Sequence, residues 1–134
     1  MPKILVVDDE EHIVMILKDS LEFSGFQVVT APDGSEALLA VEREKPELIV
    51  LDVGMPKLDG WEVCRRLKTD PKTQNIPVII LTAYAQTSDQ RKGFQLGADR
   101  FITKPCDLTY LVEEINALLA QRKKNQASNL NSGR

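Results

Sequence analysis

Residues 48–60 read LIVLDVGMPKLDG, and this stretch decides the fold. Leu48, Ile49, Val50 and Leu51 run without a polar break straight into Asp52. A strand with one wet face alternates apolar and polar residues, whereas a continuous apolar run suits a strand covered on both faces. After Asp52 the pattern stops at Gly54, Pro56 and the Asp59-Gly60 turn, and Trp61 opens a helical segment. The run therefore ends in a carboxylate at the edge of a sheet, and in open parallel sheets that edge is where ligands bind.

Similar runs lie on either side: Ile4-Leu5-Val6-Val7, Val28-Val29-Thr30, Val78-Ile79-Ile80-Leu81 and Phe101-Ile102. Between them the apolar residues fall at helical spacing, as in Ile13, Ile16, Leu17 and Leu21, and again in Leu108, Leu111, Val112, Ile115 and Leu119. Asp33 with Glu36, and Thr87 with Gln90, read as capping boxes opening the second and fourth helices. Gly25 and Gly97 stand where a left-handed residue would stop the first and fourth. Pro46 and Pro77 each stand just before a strand. The fourth helix, expected over Ser88–Leu96, has a weak apolar stripe and many polar residues. Five strand–helix units predict an α/β fold with a parallel sheet, right-handed crossovers and helices on both faces.

The chain has 134 residues, one domain's worth, and 43% hydrophobic residues suffice for a core. A net charge of −3 argues against an extended nucleic-acid footprint, and the one dense basic run, Arg122-Lys123-Lys124, suits a helix C-terminus. Cys64 and Cys106 are too few for a disulfide framework and read as free thiols in a reducing compartment. Asp8, Asp9, Glu10 and Glu11 interrupt the first apolar run, so no signal-peptide layout is present. No apolar stretch nears the roughly 20 residues that span a bilayer, and a cytoplasmic protein is expected. Residues 1–122 form the expected domain, and 123–134 read as a polar, disordered tail or linker.

The polar residues at the strand ends carry the chemistry. Strand 1 ends in Asp8-Asp9, strand 3 in Asp52, strand 4 in Thr82, and strand 5 is followed by Lys104-Pro105. Singly, each has a bland reading: Asp8, Asp9 or Thr82 as a cap or turn former, Lys-Pro as a turn. Together they put three carboxylates, a hydroxyl and an ammonium at one edge. Carboxylates so close would share protons unless a cation intervened, and a hard divalent ion such as Mg2+ is the simple remedy. Asp9 and Asp52 are the expected direct ligands, with Asp8 binding directly or through water and the Gly54 backbone carbonyl completing the set. Such a site holds phosphoryl groups, and a carboxylate there can attack phosphorus. Thr82 would donate to one phosphoryl oxygen and Lys104 would neutralise another.

These residues resemble the response-regulator receiver domain of two-component signalling over about residues 2–122. The matching stretches are ILVVDDE at 4–10, LIVLDVGMPKLDG at 48–60, VIILTA at 78–83, GAD at 97–99 and FITKP at 101–105. The resemblance implies a flavodoxin-like five-stranded sheet of order 2-1-3-4-5 with five helices. It implies Asp52 as phosphoacceptor, Asp8 and Asp9 as the acidic pair for Mg2+, and Gly54 as the backbone ligand. It further implies Thr82 as switch hydroxyl, Phe101 as switch aromatic, Lys104 as phosphate contact and a cis bond before Pro105. Gly54 departs from the larger residue, often methionine, that the family carries there; the position influences acyl-phosphate lifetime. Tyr84 is expected to shield the phosphate in part.

On this resemblance the chain is a signalling module rather than an enzyme, although it would catalyse its own phosphorylation and dephosphorylation. Its donor would be a histidine kinase or histidine phosphotransfer protein. Its output would be a partner-binding surface of helix 4, strand 5 and helix 5, with no direct contact to nucleic acid or membrane. The alternatives are a receiver-like scaffold that is never phosphorylated, a Mg2+-dependent aspartyl phosphatase and a flavin-binding protein. The flavin reading is weakened by DDEEH after strand 1, which repels phosphate. The phosphatase reading is weakened because such enzymes usually keep two aspartates two apart, not adjacent. His12 is expected at the surface or in a capping role, and Trp61 as a partly buried packing residue.

Overall fold

The computed structural model describes residues 1–54, 59–83 and 86–132, the stretch from 125 onward as backbone only. Five strands, β1 (Lys3–Val7), β2 (Gln27–Ala31), β3 (Leu48–Leu51), β4 (Val78–Thr82) and β5 (Arg100–Thr103), alternate with five helices. The helices are α1 (Glu11–Phe23), α2 (Gly34–Glu44), α3 (Gly60–Thr69), α4 (Thr87–Gln95) and α5 (Leu108–Ser132). All described strand pairs are parallel, in the order β2-β1-β3-β4-β5, as the resemblance implied.

The continuous apolar runs are explained by two cores, one on each face of the sheet. Successive strand residues point to opposite faces. Leu5, Val7, Ile49, Leu51, Val78 and Ile80 meet Ala37, Ala40 and Val41 of α2 and Val63, Cys64 and Leu67 of α3. Ile4, Val6, Leu48, Val50, Ile79 and Leu81 meet Leu17 and Leu21 of α1 and Leu111, Ile115 and Leu119 of α5. The thiols Cys64 and Cys106 are both free.

The helix stops behave as their glycines predict. Gly25 and Gly97 both have φ of 97°. The Gly25 and Phe26 N–H groups donate to the carbonyls of Glu22 and Leu21, and those of Gly97 and Ala98 donate to Phe94 and Gly93. Both ends are Schellman closures, which glycine enters without a Cβ penalty. At the start of α2 the Asp33 carboxylate accepts from the Glu36 N–H at 2.9 Å, as expected. The start of α4 departs from expectation by one residue. Gln86, not Thr87, is the N-cap, because the Asp89 carboxylate accepts from the Gln86 N–H at 3.3 Å.

The backbone of α5 continues to Ser132, into the stretch expected to be a polar, disordered tail or linker. Residues 123–132 hold no proline or glycine to stop it, and Lys, Gln and Ala are good helix formers.

The GAD motif has a structural purpose. The Lys68 ammonium donates to the Asp99 carboxylate at 2.9 Å and to the Ile76 and Gln74 carbonyls at 2.8 and 3.2 Å. The same Asp99 oxygen accepts from the Val78 N–H at 2.9 Å, so one carboxylate ties α3 and the start of β4 together. Gly97 lies over the stem of Lys68, where a Cβ would come within 2.9 Å of Lys68 Cγ. Asp99→Ala is expected to lose on the order of 2 kcal/mol, from a charged hydrogen bond and an orphaned N–H. Urea unfolding measures it, and a loss under about 0.5 kcal/mol, the level of an ordinary surface change, would contradict this account.

Candidate functional site

Register builds the site. Val7 pairs with Leu51, which sets Asp8 beside Asp52 at the next step. The Asp8 N–H donates to the Ala31 carbonyl at 3.2 Å and the Asp52 N–H to the Val7 carbonyl at 3.0 Å, so the backbone of both residues extends the ladder. Thr82 closes β4 in register with Thr103, and its carbonyl accepts from the Lys104 N–H at 2.8 Å. That bond holds the Lys104 segment at the same edge. The Lys104–Pro105 peptide is cis.

One oxygen from each of Asp8, Asp9 and Asp52 lies within 4.8 Å of the others. Asp8 and Asp52 are buried and Asp9 is exposed, so the cluster opens to solvent on the Asp9 side. Lys104 Nζ donates to Asp8 Oδ2 at 2.6 Å and reaches Asp52 Oδ2 at 3.4 Å. Asp8 also accepts from the Glu10 N–H at 3.0 Å, and Asp52 Oδ1 from the Gly54 N–H at 3.1 Å.

Burial pushes the Asp8 carboxyl above the usual aspartate range. The hydrogen bonds from Lys104 and Glu10 oppose it, and the Asp52 charge adds to the rise. For Lys104, burial disfavours the ammonium, but the Asp8 hydrogen bond and the charges of Asp52 and Asp8 outweigh it and raise its pKa. One ammonium among three carboxylates leaves the cluster electronegative. An all-oxygen donor set of this charge, open on one side, fits a hard divalent cation with room for water.

The structure thus brings Asp8, Asp9, Asp52 and Lys104 together, with Gly54 beside Asp52. Thr82 lies fully buried at the adjoining strand end. Phe101 sits apart from the cluster, half-buried beneath α4, where a Cβ on Gly93 would approach its ring to 3.1 Å. His12 is exposed, 3.7 Å from Glu10, in keeping with a surface role. Trp61 is half-buried against the α2–α3 core. Tyr84 lies outside the described residues.

The family model for the response regulator receiver domain matches residues 4–116. This chain belongs to the response regulator receiver family. Among curated relatives, it is 51% identical over 115 residues to the alkaline phosphatase synthesis transcriptional regulatory protein PhoP of Bacillus subtilis, covering 86% of this chain and 45% of that protein. It is 41% identical to the DNA-binding dual master transcriptional regulator RpaA of a Synechocystis strain, covering 89% of this chain and 49% of the relative. The receiver chain spans about half the length of the curated relatives it matches. Among solved structures, a CheY-like response regulator receiver domain protein from Methanospirillum hungatei superposes with TM-score 0.88 at 30% identity, covering 93% of this chain and 98% of that one.

Two features of the receiver site were not anticipated from sequence. Lys104, expected to meet a phosphoryl oxygen, also pairs with Asp8 at 2.6 Å. Gly60, which carries no chemistry, is buried directly against the Asp52 backbone. The only sequence signal for Gly60 was its place at the first turn of a helix, which many residues could fill. Among the described residues no helix is long and apolar enough to cross a membrane.

Proposed function

We propose that Asp52 is the phosphoacceptor of this receiver, with Mg2+ held by Asp8, Asp9, Asp52 and the Gly54 carbonyl. The observation that carries the reading is the convergence of Asp8, Asp9, Asp52 and Lys104 at one edge of the sheet. When bound, Mg2+ would neutralise the carboxylates and screen charge on the phosphoryl oxygens. A carboxylate oxygen of Asp52 forms the new bond to phosphorus while the donor's bond to phosphorus breaks and the donor leaves with its electron pair. Lys104, held charged by its neighbours, pairs with a phosphoryl oxygen, and Thr82 donates to another. Positioning and charge stabilisation are most of what this transfer needs.

The donor is a histidine kinase or histidine phosphotransfer protein. The added charge then biases a two-state equilibrium in which Thr82 and Phe101 shift and the α4–β5–α5 surface meets a partner. In α4 only Gly93 is buried, which suits an element that moves. The same site would catalyse loss of the phosphate by water, and Gly54 leaves little bulk to obstruct that water. Residues 1–122 form the receiver unit, 123–134 a polar tail or linker, and the protein works in the cytoplasm.

Incubation with a small phosphodonor and Mg2+, followed by intact mass, tests the reading. A single phosphate adduct is expected on the wild-type protein and none on Asp52→Asn, which loses the nucleophile but keeps the shape. An adduct that survives in Asp52→Asn places the acceptor elsewhere. No adduct with any donor means a scaffold that is never phosphorylated.

A further inference from the structure

The first turn of α3 touches two places at once. At one end Gly60 abuts the phosphoacceptor segment: a Cβ there would fall 2.2 Å from the Asp52 carbonyl oxygen and 2.5 Å from Val53 Cα. At the other, the Trp61 ring lies beneath the Lys92 ammonium of α4, which stands 4.7 Å from the ring centroid. α3 itself is firmly held. Val63, Cys64 and Leu67 are buried in the core, and the Asp59 carboxylate caps the helix on the Glu62 N–H at 2.9 Å. α4 is the loosely held partner, with Gly93 its only buried residue.

We propose that the Lys92–Trp61 contact is a latch that fastens α4 to the first turn of α3, and through Gly60 couples α4 to the Asp52 segment. This connection runs separately from Thr82 and Phe101, which lie on β4 and β5. A rigid turn in contact with both places transmits a displacement of either one to the other. Coupling of this kind is reciprocal: what biases α4 biases the chemistry at Asp52, and the reverse. A contact made in this arrangement and lost when α4 moves makes that movement costlier. Releasing the latch therefore favours the phosphorylated form.

The inference rests on phosphorylation at Asp52, and its test separates the two. Wild type, Lys92→Met, Lys92→Arg, Trp61→Leu and the Met/Leu double variant are exposed to limiting small phosphodonor with Mg2+. The phosphorylated fraction is read by intact mass, which is independent of any change in tryptophan emission. Lys92→Met keeps the stem and loses the charge, and its ratio of phosphorylated to free protein is expected to rise about 2–5-fold, the weight of one exposed cation–π contact. Lys92→Arg keeps a cation over the ring and should hold the ratio at or below the wild-type value. In the Trp61→Leu background, Lys92→Met should add nothing. An unchanged or lowered ratio in Lys92→Met overturns the latch, as does an effect that persists without Trp61. If wild type itself takes no phosphate, the reading of Asp52 falls, and the latch with it.

Discussion

Gly60→Ala is expected to cost the fold about 2–4 kcal/mol, far more than an alanine usually does at a helix start. The added Cβ would lie 2.2 Å from the Asp52 carbonyl oxygen, 2.5 Å from Val53 Cα and 2.9 Å from the Asp52 carbonyl carbon. All three are backbone atoms, so no side chain can swing aside. Either α3 withdraws, pulling Val63 and Leu67 from the core, or the Asp52–Val53 backbone yields. Both responses disturb the site, and Mg2+ affinity should fall at least about tenfold, as it does when the groups supporting metal ligands are disturbed. Gly25→Ala is the control. Its φ of 97° also disfavours a side chain, but nothing lies within 4 Å of the new Cβ. It should cost only about 1–2 kcal/mol and leave Mg2+ binding alone. Urea unfolding and calorimetric Mg2+ titration compare the two. Equal stability losses with equal Mg2+ affinities would refute the close-approach account.

Asp8→Asn should have the opposite effect on stability. Burial raises the Asp8 carboxyl in the folded protein, with the Asp52 charge contributing, so the folded state holds the proton more tightly than the unfolded chain. For an acid raised in this way, protonation favours folding. The contribution is fully present below the unfolded value and is lost as pH rises through the folded value. At neutral pH without metal, the ionised Asp8 is therefore a burden. Asparagine keeps an oxygen for Lys104 and Glu10 while removing one of three clustered negative charges. Metal-free Asp8→Asn is expected to gain on the order of 1–2 kcal/mol near pH 7, with the gain shrinking toward pH 4. Mg2+ should stabilise wild type by mass action and the variant much less. Thermal unfolding across this range, with and without Mg2+, measures both. A variant less stable than wild type at neutral pH without metal would sink the argument. The trade is a familiar one: a charge cluster kept for binding costs stability until its ligand arrives.

Much of this protein was legible in its sequence because the relevant signals are local. An unbroken apolar run says that a strand is covered twice, and Gly25 and Gly97 mark helix stops through their own backbone freedom. Asp8, Asp9, Asp52, Thr82 and Lys104 could be placed at one edge because strand ends in a parallel sheet share that edge whatever the packing. Even there one local pattern misled: Thr87 with Gln90 read as the cap of α4, but the Asp89 carboxylate reaches back to the Gln86 N–H and makes Gln86 the N-cap. The polar stretch after Arg122 lacks an apolar face, and so its sequence read as a tail or linker.

The amino-acid sequence alone determined the strand–helix order, the doubly covered sheet and the identities of the charged groups at its edge. Tertiary structure alone decided that the Lys104 ammonium lies 2.6 Å from Asp8, that Gly60 presses on the Asp52 backbone, and that Lys92 of α4 covers Trp61 of α3. The reason is physical. Periodicity and caps act over a few residues and are written in neighbouring letters. These three contacts join groups eight or more positions apart, beyond the reach of such local rules, and their distances are set by how the strands and helices pack together.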